Sequence, residues 1–305
     1  MSTLRARPDF LLASEQMARG LVELYRGNRL LNRILNDRGR TVFGMFALYL
    51  DATPDERGVG LTVTRIANLC HEAGICSRGR AKAIVTLMRW GGYLEVGPDS
   101  GQNRRQRPLV PTDRMIQEQV KRWQKIFGAL ALIHPPAEEV LARLHVAGFR
   151  KALIREIGGR FQAGFRLRDF APHALLFGER DAGLLIAWSL LISGTDGDTF
   201  PPSQPVPVPV AALSRQFFVS RAHVLKLLRE AEQVGLIERT PSPTGSVLLL
   251  PPMHETMLNL FAAMFAGFAD SGDSALAAYE KASEIGIPSR EVDVRPTPYA
   301  GNFPV

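Results

Sequence analysis

The stretch SRGRAKAIVTLMRWGGYLE at Ser77–Glu95 aligns without a gap with SRAHVLKLLREAEQVGLIE at Ser220–Glu238. Both begin with Ser-Arg, and in both a glycine precedes an apolar pair near the end. The apolar positions between recur at a period near 3.6, which predicts an amphipathic helix in each copy. Serine is a favourable N-cap because its hydroxyl accepts from a free amide, and glycine commonly ends a helix. Each copy therefore predicts a helix that leads into a strand.

The outward positions of both predicted helices are basic, with Arg78, Arg80 and Lys82 in the first copy and Arg221 and Lys226 in the second. With this pattern both stretches resemble the recognition helix and first wing strand of winged helix-turn-helix transcription regulators of the MarR-like kind. That family typically has the pattern S-R-x-x-V-x-x-L-V-x-x-L-x-x-x-G-L-V. The sequence departs from it at four positions: Ala81, Met88, Tyr93 and Ala231.

The resemblance implies a mainly α fold of the α+β winged-helix type, with two tandem winged helix-turn-helix domains related by internal duplication. The Pro135-Pro136 pair ends a predicted helix and marks the boundary. We predict a first domain at residues 1–134 that includes N-terminal helices, a second at 135–268, and a largely disordered tail at 269–305. Heptad-like spacing from Phe10 to Asn36 allows those N-terminal helices to pack within the chain or to form a homodimer.

Two buried helices and two closing helices are among those predicted around the two motifs, and a last helix is left open in the tail. The sequence at Thr41–Ala52 and at Ala182–Ser193 is nearly all apolar, which predicts two buried helices. Each motif is followed by a closing helix, predicted at residues 112–133 and 253–268. A last helix at residues 273–284 is left open, because the apolar pattern is lost after residue 268.

The composition favours a globular protein with a polyanionic partner, since the 305-residue chain is 46% hydrophobic and carries a net charge of +7. Its only two cysteines, Cys70 and Cys76, indicate a reducing compartment. The N-terminal sequence MSTLRARPDF has no apolar core behind its charges, and the longest apolar run, at 182–192, is too short to span a bilayer. We therefore expect a cytoplasmic, nucleoid-associated protein with no membrane partner.

Double-stranded DNA is the expected partner of the basic faces. A recognition helix fits the major groove, where arginine donates two hydrogen bonds to guanine, and we assign base edges to Arg78, Arg80 and Arg221. DNA phosphates are contacted by lysine and arginine side chains and by helix N-termini. A basic wing is suited to binding in a narrow minor groove. The remaining predicted DNA-binding residues are Ser77, Lys82, Thr86, Asn103, Arg104, Arg105, Arg107, Ser220, His223, Lys226 and Arg229.

The two copies are unequal in charge. Between Ser77 and Arg107 seven Lys or Arg residues stand against two acids, whereas between Ser214 and Leu248 five stand against three. Because phosphate neutralisation dominates affinity for DNA, we expect the first copy to carry more of the binding.

These features together predict a sequence-specific, double-stranded DNA-binding transcription regulator. A homodimer and contact with RNA polymerase or another regulatory protein are left open. Two alternatives remain: a plasmid-type replication initiator with tandem winged helices, and a winged-helix protein-interaction subunit. The sequence contains no Gly-rich phosphate loop, nucleophile elbow or zinc-protease motif, so we expect no enzyme and no cofactor. Cys70 and Cys76 lack a second ligand pair for zinc, while redox sensing by Cys76 stays open.

Overall fold

The computed structural model describes residues 2–35, 37–98, 108–240 and 245–284, and these are mainly helical with two small antiparallel sheets. The prediction of a mainly α protein is confirmed. The helices are α1 Ser2–Arg5, α2 Phe10–Tyr25, α3 Arg29–Leu35, α4 Arg38–Ala52, α5 Val63–Glu72, α6 Arg78–Trp90, α7 Asp113–Leu130, α8 Pro136–Arg143, α9 Ala147–Gln162, α10 Leu175–Gly178, α11 Gly183–Leu191, α12 Val210–Phe217, α13 Arg221–Gln233 and α14 Pro251–Glu284. The strands are β1 Leu94–Val96, β2 Leu109–Pro111, β3 Val206–Pro207, β4 Ile237–Thr240 and β5 Ser246–Leu249.

The chain forms two compact units, and neither is a continuous segment. The α6 unit consists of Gly39–Trp123, Pro136–Phe165 and the chain from Gly267 on, and the α13 unit of Met1–Arg38, Gln124–Pro135 and Arg166–Ala266. Helices α7 and α14 each begin in one unit and end in the other. This division differs from the predicted boundaries after residues 134 and 268, because those followed sequence order.

In the α6 unit, the two helices of the first motif are followed by a short hairpin. Strands β1 and β2 pair antiparallel, with Leu94 opposite Pro111 and Val96 opposite Leu109. The inward face of α6 is buried as its apolar spacing predicts, through Ala81, Ile84, Val85 and Met88. Gly92, with φ +69°, supplies the left-handed residue between α6 and β1.

In the α13 unit, α12 and α13 are followed by the antiparallel strands β4 and β5, and β3 adds a third strand to the sheet. Helix α13 buries its predicted apolar face, Val224, Leu227, Leu228 and Ala231, and Gly235 has φ +72°. The sheet order is β3-β5-β4, and β3 was not predicted because its Val-Pro pair lies in a Pro-rich loop. Proline is tolerated there because β3 is an edge strand.

The N-terminal helices belong to the α13 unit, where α2 packs against α11. The stripe of α2 that includes Met17, Leu21 and Val22 is buried in this packing, and Phe10 meets Phe265 edge to face with ring centroids 6.2 Å apart. Packing within the chain therefore accounts for the apolar spacing of α2.

Helix α14 is a single helix of 34 residues, where the sequence predicted a helix that stops at residue 268. The residues beyond 268 that face inward are mostly small, for example Ala269, Ser271 and Ala275, so they show no strong apolar period although they are buried. The part of the predicted disordered tail from 269 to 284 is therefore helical. Residues 285–305 lie outside the described chain.

Candidate nucleic-acid interface

The turn between α5 and α6 is fixed by backbone hydrogen bonds. Gly74, with φ +65°, donates its N–H to the carbonyl of His71 at 3.1 Å, and Ile75 donates to the carbonyl of Cys70 at 2.9 Å. This pair of bonds ends α5 as a Schellman motif. The next helix, α6, begins at its N-cap Ser77, whose hydroxyl accepts from the Arg80 N–H at 3.2 Å, as predicted. The start of α6 is therefore fixed by the turn that precedes it and by its own N-cap.

The outer face of α6 presents most of the predicted DNA-binding residues of the first copy to solvent. Ser77, Arg78, Arg80, Lys82 and Thr86 are all exposed. Within the described part of the chain the side chains of Arg80 and Lys82 have no hydrogen-bond or ion-pair partner. Two cations on an exposed helix face, without acids to neutralise them, leave a positive surface that suits a polyanion.

Arg78 is exposed but already oriented. Its Nε donates to Oδ1 of Asn68 on α5 at 2.8 Å, across the turn that joins the two helices. This bond uses Nε, so the terminal nitrogens of the guanidinium remain for another acceptor. Asn68 therefore positions the residue that the sequence singled out for base contact. The sequence offered no signal for Asn68, because the pairing depends on the geometry of the turn.

Trp90 is a second feature of this face that the prediction missed. Its side chain is 68% exposed at the last residue of α6, where a tryptophan is usually covered. Gly79, Ala83, Thr86 and Trp90 follow one another at steps of four, three and four residues, so the helical period could have placed Trp90 on the outer face. An exposed indole at this point adds an apolar surface beside the cations.

The predicted wing is described only at its base. Gly97 donates its N–H to the carbonyl of Pro108 at 2.9 Å, beyond the last pair of β1 and β2. The four predicted wing contacts, Asn103, Arg104, Arg105 and Arg107, lie outside the described residues. Their part in the interface stays a prediction.

In the second copy, the exposed cations on α13 are Arg221, Lys226 and Arg229. The Ser220 hydroxyl caps this helix by accepting from the backbone N–H of His223 at 3.0 Å. His223 itself is half-buried, and its Nε2 lies 2.9 Å from the carbonyl oxygen of Asp181. That ring nitrogen is therefore engaged within the chain instead of facing outward, which departs from its predicted role in DNA contact.

Acidic residues compensate part of the charge on α13. Glu230 lies 3.8 Å from Lys226 Nζ and 3.0 Å from a terminal nitrogen of Arg180, and Glu232 pairs with Arg239. Such exposed pairs contribute little to stability, yet they lower the positive potential of the face. Helix α6 itself contains no acidic residue, which agrees with the unequal charge of the two sequence copies.

The comparisons with known proteins identify no relative. The chain matches no family model, no curated protein and no solved structure. Across the described ranges, no cluster of three or more His, Cys, Asp or Glu residues has a geometry that could hold a metal ion. In the same ranges no helix combines the length and apolar character needed to cross a bilayer.

Proposed function

We propose that this chain is a sequence-specific, double-stranded DNA-binding transcription regulator built on two tandem winged helix-turn-helix domains. One observation carries the proposal. Helices α6 and α13 have the same length of 13 residues and the same serine N-cap, and they bury matched apolar positions while exposing arginine and lysine. An isolated basic helix face is usually just a solvated surface, whereas two in one register favour a shared ligand.

The dimensions of α6 suit the major groove. Thirteen residues span roughly 20 Å at 1.5 Å per residue, and a groove about 12 Å wide admits an α-helix. Arg78 and Arg80 lie in the first turn, which is where recognition helices contact base edges. Lys82 lies one turn further on and meets a phosphate, which positions the helix without reading sequence.

The two helices contribute unequally in this proposal. The unpaired cations of α6 supply most of the affinity, while on α13 the carboxylate of Glu230, 3.8 Å from Lys226 Nζ, offsets part of the positive charge. The arginine-rich wing of the first copy adds to the imbalance. Winged-helix regulators of the MarR-like kind, which these stretches resemble, use both the helix and the wing on DNA.

The test is selection of bound duplexes from a random-sequence library with the intact chain. The proposal predicts one enriched sequence, and it predicts that Arg78→Ala combined with Arg80→Ala removes the enrichment while residual binding persists. Circular dichroism of the variant provides the control for folding. Absence of enrichment with the wild-type chain contradicts sequence-specific recognition. Mapping the enriched sites then separates the alternatives, since a regulator binds promoters and a plasmid-type replication initiator binds repeats near an origin.

A winged-helix protein-interaction subunit is the second candidate, and exposed apolar residues on the α13 unit favour it. Phe218, Leu225 and Val234 are 47%, 37% and 52% exposed, and Leu225 stands where the first copy has Lys82. Leucine in place of lysine suits a protein surface better than a phosphate. If this candidate is right, Leu225→Lys abolishes binding of a protein partner and leaves DNA binding unchanged.

A further inference from the structure

The two cysteines lie at opposite ends of the turn that precedes α6. Cys70 is fully buried in the last turn of α5, and Cys76 is half-buried next to Ser77. The Cys76 N–H points at the Cys70 carbonyl oxygen, 3.3 Å away. With standard bond lengths this contact keeps the two α-carbons within about 7 Å of each other. Disulfides usually join α-carbons about 4.4–6.8 Å apart, so the backbone of the turn already suits a bridge.

The two side chains also interact, since Cys76 adds to burial in raising the pKa of the Cys70 thiol. Around them, the described residues provide no third and fourth ligand of the kind that a structural zinc site needs. A neighbouring pair of thiols on a defined turn has one other characteristic chemistry, which is reversible two-electron oxidation.

We propose that Cys70 and Cys76 form a redox-modification site at which a hydroperoxide converts the two thiols into an intramolecular disulfide. This site goes beyond DNA binding and does not rest on it. The site is tested by measuring the oxidation state of the two cysteines themselves.

The environment assigns different roles to the two sulfurs. Cys76 is the thiol that solvent reaches, and it lies just before the N-cap of α6, where the free amides of the first turn favour an anion. Cys76 is therefore the group that meets peroxide. Burial raises the pKa of the Cys70 thiol to about 12, so Cys70 stays protonated and unreactive towards oxidant until Cys76 has been oxidised.

The reaction has two steps. The Cys76 thiolate attacks one peroxide oxygen, so that an S–O bond forms, the O–O bond breaks and the departing hydroxide takes up a proton as water. Cys70 sulfur then attacks the Cys76 sulfenic acid, the S–S bond forms, and the S–O bond breaks. The proton of the Cys70 thiol leaves with that hydroxide as a second water. Two thiols and one hydrogen peroxide thus give one disulfide and two waters.

The bridge acts on the start of α6. A disulfide holds its sulfurs about 2.05 Å apart, which is shorter than any thiol–thiol hydrogen bond. The two cysteine side chains must turn towards each other to reach that distance, and Cys76 is bonded directly to Ser77, the N-cap of α6. Oxidation therefore places a covalent link between α5 and the residue before the first turn of α6, where Arg78 hydrogen-bonds Asn68.

The experiment treats the intact, folded chain with hydrogen peroxide, blocks remaining thiols and digests without reductant. Trypsin cleaves after Arg65 and Arg78 and at no basic residue between, so one peptide, IANLCHEAGICSR, contains both cysteines. The proposal predicts that this peptide is lighter by two hydrogen atoms and that dithiothreitol restores its mass. Circular dichroism during the treatment shows that the chain stays folded.

Two variants make the outcome decisive. Cys76→Ser must leave the Cys70 thiol unoxidised, and Cys70→Ala must stop at a Cys76 sulfenic acid that dimedone traps. The proposal is overturned if the wild-type peptide keeps both free thiols, or carries an unresolved sulfenic or sulfinic acid on Cys76. A disulfide between two chains overturns it equally. None of these readouts depends on DNA, so they fail or succeed separately from the proposed function.

Discussion

Replacing Asn68 by alanine tests whether the contact across the turn prepares Arg78 for a ligand. In the native chain the side-chain oxygen Oδ1 of Asn68 accepts from Arg78 Nε at 2.8 Å, which restricts a side chain that otherwise has about 2 kcal/mol of rotamer entropy. The terminal nitrogens stay available for the two acceptors of a guanine. Asn68→Ala leaves the charge in place and removes only the restraint.

The expected effect is modest and can be bounded. A hydrogen bond typically contributes about 0.5–1.5 kcal/mol and more when one partner is charged, but the exposure of Arg78 to solvent puts this bond at the lower end. We expect Asn68→Ala to weaken DNA binding by about two- to fivefold, which corresponds to about 0.5–1 kcal/mol. Arg78→Ala removes the base contact itself and should cost about 1–3 kcal/mol.

Fluorescence anisotropy with a selected duplex measures all four members of the double-mutant cycle. Because Asn68 acts only through Arg78, the double variant should bind no more weakly than Arg78→Ala alone, which gives a coupling of about 0.5–1 kcal/mol. His71→Ala, an exposed change on the same helix, is the matched control and should bind as the wild type does. Equal losses from Asn68→Ala with and without Arg78 would refute the positioning role.

Two further predictions concern stability. A Cβ on Gly158 would lie 2.2 Å from Tyr49 Cδ2, so Gly158→Ala should destabilise the chain by about 1–3 kcal/mol in urea unfolding. Gly79 has open space around it, so Gly79→Ala should stabilise the chain by up to about 1 kcal/mol in the same measurement. Equal effects of the two substitutions would contradict this packing. Hydrogen bonds from the Ser203 hydroxyl and from three backbone amides lower the pKa of the Asp198 carboxyl to about 2. The ionised carboxylate therefore stabilises the fold above the unfolded-state pKa of the group, and this stabilisation is lost as the pH falls towards 2. Asp198→Ala should therefore lower Tm at neutral pH but converge with the wild type as the pH falls to about 2 and below, and a pH-independent difference would contradict that origin.

The sequence predicted those features of this chain that depend on interactions between residues close together in sequence. The four apolar positions of α6 and of α13 are buried, and Ser77 and Ser220 cap their helices through the hydroxyl. Both results follow from helical period and from the free amides of a first turn, which need no knowledge of the rest of the chain.

Other features depend on contacts that a sequence does not display. Asn68 and Arg78 meet across a turn, and His223 binds a carbonyl 42 residues away. The second half of α14 buries small residues such as Ala275, which carry too little apolar signal to predict a helix. The division into two units likewise follows packing, since α7 and α14 each contribute to both.

If cations on α6 and α13 meet the phosphates of a duplex, binding must weaken as the salt concentration rises. The three exposed cations of these helices that are not assigned to base edges are Lys82, Lys226 and Arg229. At about 0.9 per phosphate they give a slope of about −2.7 for the logarithm of the binding constant against the logarithm of salt concentration.

The measurement is anisotropy of a labelled duplex titrated with the intact chain between about 50 and 200 mM salt. We expect a negative slope that becomes shallower by about 1.8 in Lys82→Ala combined with Lys226→Ala, and that is unchanged in Lys281→Ala at the end of α14. A slope near zero, or the same slope in all three proteins, would contradict it.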